Sequence, residues 1–240
     1  MKRLSHLDFY YRAWRYRLKV EPAEIAWVRS ALKPGDLAVD AGAHKGAFTY
    51  WMARAVGPEG KVLAFEPQPE LAERLVDTVR DLELPQVSVE NAGLSSSAGR
   101  LTLSIPGPGP SPGASFAPEK QASGRHIEVP VTTLDERVQG HSGFRLLKCD
   151  VEGHELEVFK GGARVLAEQS PAILFECEAR HHQDGRMEEA FRFLESLGYR
   201  GQFFFGDALL PRASFQVDRH QVPDRRPYGN NFLFTKESSA

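Results

Sequence analysis

The block from residue 37 to residue 56 limits the fold more than any other, because a strand, a glycine turn and a helix follow one another directly. Leu37-Ala38-Val39-Asp40 predicts a strand, and the turn after it contains Gly42 and Gly46. Apolar residues then recur at the spacing of one helical face. They are Phe48, Trp51, Met52 and Ala55. A strand that turns at once into a helix is typical of an α/β sheet.

The same alternation of short β-rich runs and helical patterns continues along the chain. The predicted strands are 37–40, 61–66, 87–90, 101–105, 126–132, 144–150, 172–177, 199–205 and 230–235. Helical patterns between them predict an α/β fold with a mostly parallel sheet covered by helices. Two helices are predicted over 4–32, ahead of the sheet. We therefore divide the chain into an N-terminal helical segment, 1–34, and one α/β domain, 35–236.

Composition excludes several classes of protein. The 240 residues are 41% hydrophobic and 26% charged, as in ordinary globular proteins, and the net charge is only -2. A balanced charge argues against a nucleic-acid-binding protein. No apolar run approaches the roughly 18 residues of a membrane span, and no signal peptide is evident, so a cytoplasmic protein is expected. The two cysteines, Cys149 and Cys177, are too few for a disulfide framework and are expected to be buried thiols.

The glycine turn and a second acid indicate a nucleoside-containing cofactor. Glu66 ends the second predicted strand, where a carboxylate accepts hydrogen bonds from ribose hydroxyls. A dinucleotide fingerprint needs a glycine where this chain has His44, whose side chain would obstruct a pyrophosphate. S-adenosylmethionine has no phosphate, and Asp40 suits its positive charges. The alternatives are a nucleotide (NAD)-dependent oxidoreductase, a non-catalytic cofactor-binding protein, and glycines that merely permit a tight turn.

Several motifs together resemble one known family. They are Val39-Asp40-Ala41-Gly42-Ala43-His44-Lys45-Gly46, Phe65-Glu66-Pro67, Thr133-Leu134-Asp135, Leu147-Lys148-Cys149-Asp150-Val151-Glu152-Gly153-His154-Glu155 and Phe159-Lys160-Gly161-Gly162. The chain from about Gly35 to Phe234 resembles the FkbM family of S-adenosylmethionine-dependent methyltransferases. The resemblance implies a class I methyltransferase (Rossmann-like) sheet of seven strands, mostly parallel with an antiparallel final strand and helices on both faces. It also implies O-methylation of a hydroxyl on a small molecule, sugar or polyketide-type product. The family usually has Asn where this chain has His44.

The resemblance also implies roles for particular residues. The implied cofactor-binding residues are Asp40, Gly42, His44, Gly46, Thr49, Glu66, Asn91 and Leu94. The glycine turn with Asp40 would hold the methionine end and Thr49 its carboxylate. Glu66 would hold the ribose, and Asn91 with Leu94 the adenine. Asn91 could equally be a turn residue with a local backbone bond.

Candidate catalytic residues follow the predicted strand at 144–150. Asp150 and Glu152 share one face if the strand conformation continues, and either could remove the acceptor's proton. The alternative is that one of them caps the following helix. His181 or His182 is a further candidate base, after the neighbouring strand at 172–177. Asp150, Glu152 and Glu178 are candidate ligands for Mg²⁺, although acids near a cationic cofactor are also useful without an ion.

Two segments outside the sheet are candidates for covering the site. The segment 106–118 is rich in Pro, Gly and Ser and is predicted to be a mobile loop, either an acceptor-side lid or a passive connection. The aromatic N-terminal helix, which includes Phe9-Tyr10-Tyr11 and Trp14, suits a lid or a homodimer contact. The expected partner is a small-molecule or glycan acceptor.

Overall fold

The fold is that of a computed structural model, which describes residues 6–117, 124–181 and 185–236. Nine α-helices lie in these ranges: α1 His6–Arg15, α2 Pro22–Ala31, α3 Ala47–Val56, α4 Pro69–Asp81, α5 Leu134–Val138, α6 Glu155–Gly161, α7 Ala163–Gln169, α8 Arg186–Ser196 and α9 Val217–His220. A π-helical turn, Tyr16–Val20, joins α1 to α2. None of the described helices is long and apolar enough to cross a membrane.

The described strands form one large sheet and one small sheet. They are β1 Leu37–Ala41, β2 Lys61–Phe65, β3 Val87–Glu90, β4 Gly93–Leu94, β5 Gly99–Ile105, β6 Arg125–Thr132, β7 Phe144–Cys149, β8 Ala172–Glu176, β9 Arg200–Phe205, β10 Ala208–Pro211 and β11 Asn231–Thr235. The large sheet has the order β10-β9-β11-β8-β7-β1-β2-β3. Strands β1, β2, β3, β7 and β8 run parallel, and β11 is antiparallel to both of its neighbours.

The expected class I methyltransferase fold is confirmed, with a different strand count. Eight described strands form the large sheet instead of seven, because the chain turns back at Gly206 and pairs β10 with β9 at one edge. The strands predicted at 101–105 and 126–132 exist as β5 and β6, but they pair with each other and with β4. This three-stranded sheet stands beside the large one.

Helices pack on both faces of the large sheet, since its parallel strands are buried on both sides. One apolar layer joins β7 and β8 to α6 and α8, and it includes stacked rings of Phe175 and Phe232. The other joins β1 and β2 to α2 and α3. Cys149 and Cys177 are buried in the first layer as free thiols, as expected.

The N-terminal helices are attached to α3 by specific contacts. Phe9 is buried and meets Tyr50 edge to face, with ring centroids 5.6 Å apart. The indole N–H of Trp51 donates a hydrogen bond to the carbonyl oxygen of Ala13, 3.0 Å away. These contacts hold α1 and the π-helical turn at the carboxyl end of β1.

Candidate active site

The turn between β1 and α3 requires glycine at two positions. Gly42 has φ 81° and Gly46 φ 78°, in the left-handed region where side chains are strained. A Cβ on Gly42 would lie 1.9 Å from the carbonyl oxygen of Asp150, and one on Gly46 would lie 2.4 Å from Leu75. The turn therefore depends on glycine both for its backbone conformation and for close packing.

His44 lies in the same turn and also has a left-handed backbone, with φ 49°. Asn and His adopt this conformation more readily than most residues, which fits His44 in place of the family's usual Asn. The backbone N–H of His44 donates a 2.7 Å hydrogen bond to Oε2 of Glu66. Burial and the nearby cations of Lys45 and Arg12 lower the pKa of His44 to about 4, so the ring is neutral.

Glu66 follows β2 and is only 2% exposed. Its Oε1 accepts a 2.9 Å hydrogen bond from the N–H of Gln68, while Oε2 accepts the one from His44. Burial raises the pKa of Glu66 to about 7 in spite of these hydrogen bonds. The carboxyl is thus held rigidly by backbone donors at the carboxyl end of the sheet.

A cavity of about 220 Å³ lies in front of Glu66. Leu94 and Phe116 contribute apolar walls to it, as expected for Leu94 if it contacts adenine. Asn91 lies elsewhere: its amide donates to the carbonyl oxygens of Glu66 and Pro67, at 2.9 and 3.2 Å. These donors hold the chain around Glu66, but they are not the local backbone bond of the alternative, and the adenine contact of Asn91 stays a prediction.

Asp40 and Thr49 form a buried pair below the turn. The Thr49 hydroxyl donates a 2.5 Å hydrogen bond to Oδ2 of Asp40, and both side chains are almost fully buried. Burial raises the pKa of Asp40, while the Thr49 hydrogen bond and Lys148 oppose the rise. Thr49 therefore positions Asp40, and its contact with a cofactor carboxylate stays a prediction.

Lys148 supplies a buried positive charge beside Asp150. Its Nζ lies 3.6 Å from Oδ2 of Asp150, and its side chain is 2% exposed. Burial alone would lower the pKa of Lys148, but Asp150, Glu21, Glu176 and Asp40 raise it overall. The ammonium group is therefore charged. Burial raises the pKa of Asp150 and Lys148 opposes the rise, while Glu152 and Glu155 add to it.

A second cavity, of about 640 Å³, opens next to the first. Five residues line both cavities: Tyr16, Gly42, His44, Asp150 and Glu176. The larger cavity carries charges of both signs, with Lys148 and Arg180 as well as acids such as Glu21 in its lining. Asp150 and Glu176 are the two carboxyls on this shared wall. Molecules bound in the two cavities would therefore meet beside them.

Glu152 does not continue the strand, so the expectation that it shares a strand face with Asp150 is wrong. Strand β7 ends at Cys149, and Glu152 has φ 54° with Gly153 at φ 100°. This turn directs Glu152 to His181, whose Nδ1 lies 2.9 Å from Oε2 of Glu152. Glu152 lines the smaller cavity, whereas His181 is not among the described residues that line either one. His182 lies outside the described residues.

The helix-capping alternative is not what the structure shows. Helix α6 begins at Glu155, after His154, and no side chain of Asp150 or Glu152 caps it. Instead Oε1 of Glu155 accepts a 3.0 Å hydrogen bond from the N–H of Gly153. Asp150 lines both cavities, and Glu152 lines the smaller one.

The described residues do not support the Mg²⁺ site. Within 6–117, 124–181 and 185–236 no group of three or more His, Cys, Asp or Glu side chains could hold a metal ion. Glu178 is paired with Arg180 and accepts hydrogen bonds from Asn230 and Tyr228. Asp150 and Glu152 face Lys148 and His181 respectively, so the three carboxylates serve different partners.

The loop at 106–117 lines the smaller cavity, and whether it is an acceptor-side lid or a passive connection stays a prediction. Pro112, Ala114 and Phe116 line that cavity in front of Glu66. The side-chain amide of Gln68 holds the loop by exchanging two 2.9 Å hydrogen bonds with the backbone of Ser111. Pro118 lies outside the described residues.

The residues at the larger cavity that the sequence did not reveal include Arg12, Tyr16, Glu21 and Asn231. Asn231 donates a 3.2 Å hydrogen bond to Glu21, and burial raises the pKa of Glu21 to about 7. Lys148 lay inside a recognised motif but received no role. Only its position between the apolar residues Leu147 and Cys149, within the buried part of β7, could have drawn attention to it.

Comparisons with known proteins agree with this geometry. Residues 40–200 match the methyltransferase FkbM domain. The chain is 35% identical over 153 residues to methyltransferase sdnD of Sordaria araneosa, covering 51% of this chain and 59% of that protein. It is 31% identical over 156 residues to hexuronic acid methyltransferase AglP of Haloferax volcanii, covering 64% and 61%. The matches thus span about three-fifths of each relative.

A solved structure extends the likeness in fold to nearly the whole chain. The FkbM methyltransferase of Methylobacillus flagellatus KT superposes with a TM-score of 0.56 at 17% identity, covering 97% of this chain and 56% of that one. At that identity the likeness concerns the fold alone. The motif residues Asp40, Glu66 and Asp150 all fall within the matched domain. The chain therefore belongs to the FkbM methyltransferase family.

Proposed function

We propose that this protein is an S-adenosylmethionine-dependent O-methyltransferase that acts on a hydroxyl of a small molecule or sugar. The observation that carries the proposal is the pair of adjoining cavities with a shared wall. A group-transfer enzyme needs one site for the donor, one for the acceptor and a junction between them. Asp150 and Glu176 stand at that junction.

The smaller cavity fits the adenosine part of the cofactor. Glu66 offers a fixed carboxylate to the ribose hydroxyls, and Leu94 and Phe116 offer apolar surfaces to adenine. His44 has a neutral ring next to the turn, so it adds no positive charge beside a sulfonium. When bound, S-adenosylmethionine supplies an electrophilic methyl group. The family membership of the chain supports the same cofactor.

We assign Asp150 as the group that accepts the proton of the acceptor hydroxyl. Its side chain is 36% exposed while lining both cavities, which leaves it accessible to an acceptor. A raised pKa makes a carboxylate a stronger base, and the charged Lys148 opposes the rise by favouring the ionised form. The Glu152–His181 pair is the other candidate, but neither of its two residues is among those that line both cavities.

The larger cavity suits a hydroxyl-rich acceptor. Side chains such as Arg180, Tyr228 and Asn230 line it and can hydrogen-bond to hydroxyl or carboxylate oxygens. One of the relatives is a hexuronic acid methyltransferase. These two observations together favour a sugar or sugar acid over an apolar product.

Transfer of a labelled methyl group to a panel of sugars, uronic acids and polyketide alcohols tests the proposal, together with calorimetric titration of S-adenosylhomocysteine and NAD. We expect binding of S-adenosylhomocysteine but not NAD, and labelling of at least one hydroxyl acceptor. In that assay Asp150→Asn should lower kcat by about 100-fold or more at nearly unchanged S-adenosylhomocysteine affinity. Asp218→Asn, an exposed change on α9, is the control. Binding of NAD instead would contradict the proposal and favour the oxidoreductase.

A further inference from the structure

A cluster of positive side chains stands at the glycine turn without an assigned partner. Arg12 lies on the inner face of α1, one position before the buried Ala13, and lines the larger cavity with Lys45 and His44. Nη1 of Arg12 is buried and has no hydrogen-bond partner among the described residues. Buried donors are rarely left unpaired, so this atom marks the place of a missing acceptor.

The charges around Arg12 indicate what that acceptor is. The positive charges of Arg15 on α1 and Arg74 on α4 lower the pKa of Arg12. Arg12 and Arg74 in turn lower the pKa of Lys45 on the turn. Tyr16 on the π-helical turn and Asp8, one turn earlier on α1, act in the opposite sense and raise the pKa of Arg12. Burial lowers the pKa of Arg12. An anion bound beside Arg12 and Lys45 would relieve this crowding of positive charge.

We propose that Arg12, assisted by Lys45, binds the carboxylate of the methionine end of the cofactor. The inference rests on the proposed function, because it names a further binding residue of the same site. Arg12 lines the same cavity as Gly42 and Asp40. The resemblance to the family implies that these two residues hold the methionine end. The Thr49 hydroxyl, predicted for this carboxylate, donates to Asp40 instead. A guanidinium pairs with a carboxylate through two parallel hydrogen bonds.

The same chemistry could come from an acidic acceptor such as a uronic acid, so the experiment separates the two sources. S-adenosylhomocysteine carries the carboxylate, whereas 5′-methylthioadenosine has the adenosine part without the amino-acid end. Both are titrated calorimetrically into the full chain and into Arg12→Gln. Arg15→Gln is the matched control, because Arg15 is an exposed arginine on the same helix. Acceptor KM is measured in parallel.

We expect Arg12→Gln to weaken S-adenosylhomocysteine about 10- to 100-fold, the usual effect of losing a charged hydrogen bond. Binding of 5′-methylthioadenosine by Arg12→Gln, and of both ligands by Arg15→Gln, should be unchanged. Equal weakening of both ligands would mean that Arg12 only supports the fold, and an effect confined to acceptor KM would assign it to an acidic acceptor. Either result overturns the inference. Failure of the unsubstituted protein to bind either ligand would overturn the proposed function itself.

Discussion

The backbone of Gly42 packs directly on the carbonyl group of Asp150, so that a Cβ at Gly42 would lie 1.9 Å from that oxygen. The turn that follows β1 and the end of β7 are therefore one packed unit. Any change in the turn is transmitted to the carboxyl proposed as the base.

Gly42→Ala tests this contact. The change should lower the free energy of unfolding by well over the roughly 1 kcal/mol that left-handed backbone strain alone costs, since the Cβ also collides with backbone. Gly140→Ala is the control, because Gly140 has φ 79° but nothing within 4 Å of its added Cβ. Chemical denaturation of both variants measures the difference. Equal losses in the two would show that the collision is relieved at no cost.

Glu66→Ala should weaken the binding of S-adenosylhomocysteine by about 1–3 kcal/mol, because the ribose hydroxyls lose a charged acceptor. Calorimetry measures this change, and Glu73→Ala, an exposed substitution on α4, is the control. Unchanged affinity in Glu66→Ala would remove the ribose assignment.

The raised pKa of Glu66 also predicts how stability depends on pH. Between its ordinary pKa of 4.5 and its folded value of about 7, the unfolded chain has released this proton and the folded protein retains it. The free energy of unfolding of the ligand-free protein therefore falls as the pH rises through this range. Glu66→Gln should show a smaller fall in urea unfolding curves at about pH 5 and pH 7.5. A decline as steep as in the unsubstituted protein would contradict the assignment.

Lys148→Met should destabilise the protein by about 3–5 kcal/mol, since the surrounding carboxylates lose their buried cation. The loss should be smaller at low pH, where those carboxyls take up protons. Lys160→Met is the control, because the Lys160–Glu157 pair is largely exposed and such pairs contribute about 0–1 kcal/mol. Thermal unfolding at two pH values measures both effects. A pH-independent loss would point to packing of the Lys148 chain instead of its charge.

Gln68→Ala should weaken S-adenosylhomocysteine several-fold without changing acceptor KM, because it releases the loop that covers the smaller cavity. Gln86→Ala removes a single hydrogen bond to Ala53 outside the site and is the control. Calorimetry and steady-state kinetics separate the two effects. A rise in acceptor KM alone would contradict this expectation and favour the loop as an acceptor-side lid.

Local patterns in the sequence predicted the sheet and the cofactor turn, because strands β1 and β2 and the glycines between β1 and α3 carry their signals within a few residues. The edge strand β10 was missed because it has only four residues, and these are exposed or only partly buried. The left-handed backbone at Glu152 could not be read from a residue type that rarely adopts it.

Contacts between residues that are far apart in the chain could not be predicted from the sequence. The hydrogen bond from Asn231 to Glu21 joins residues 210 positions apart, and that from Gln68 to Ser111 spans 43. Neither partner has a neighbour in sequence that signals the pairing. The division at residues 34 and 35 stays a prediction, as do the cytoplasmic location and the homodimer.

The π-helical turn at Tyr16–Val20 makes the spacing of the first helices a determinant of the site. Its hydrogen bond from the N–H of Glu21 to the carbonyl oxygen of Tyr16 closes a loop one residue longer than an α-helical turn. If the same residues wound as a regular α-helix, the extra residue that the π-helical turn absorbs would instead rotate α1 by about 100° about its axis. Arg12 would then leave the cavity. The π-helical turn thus decides which α1 side chains are offered to the ligands, and a one-residue deletion that removed the turn would keep Arg12 on the same face.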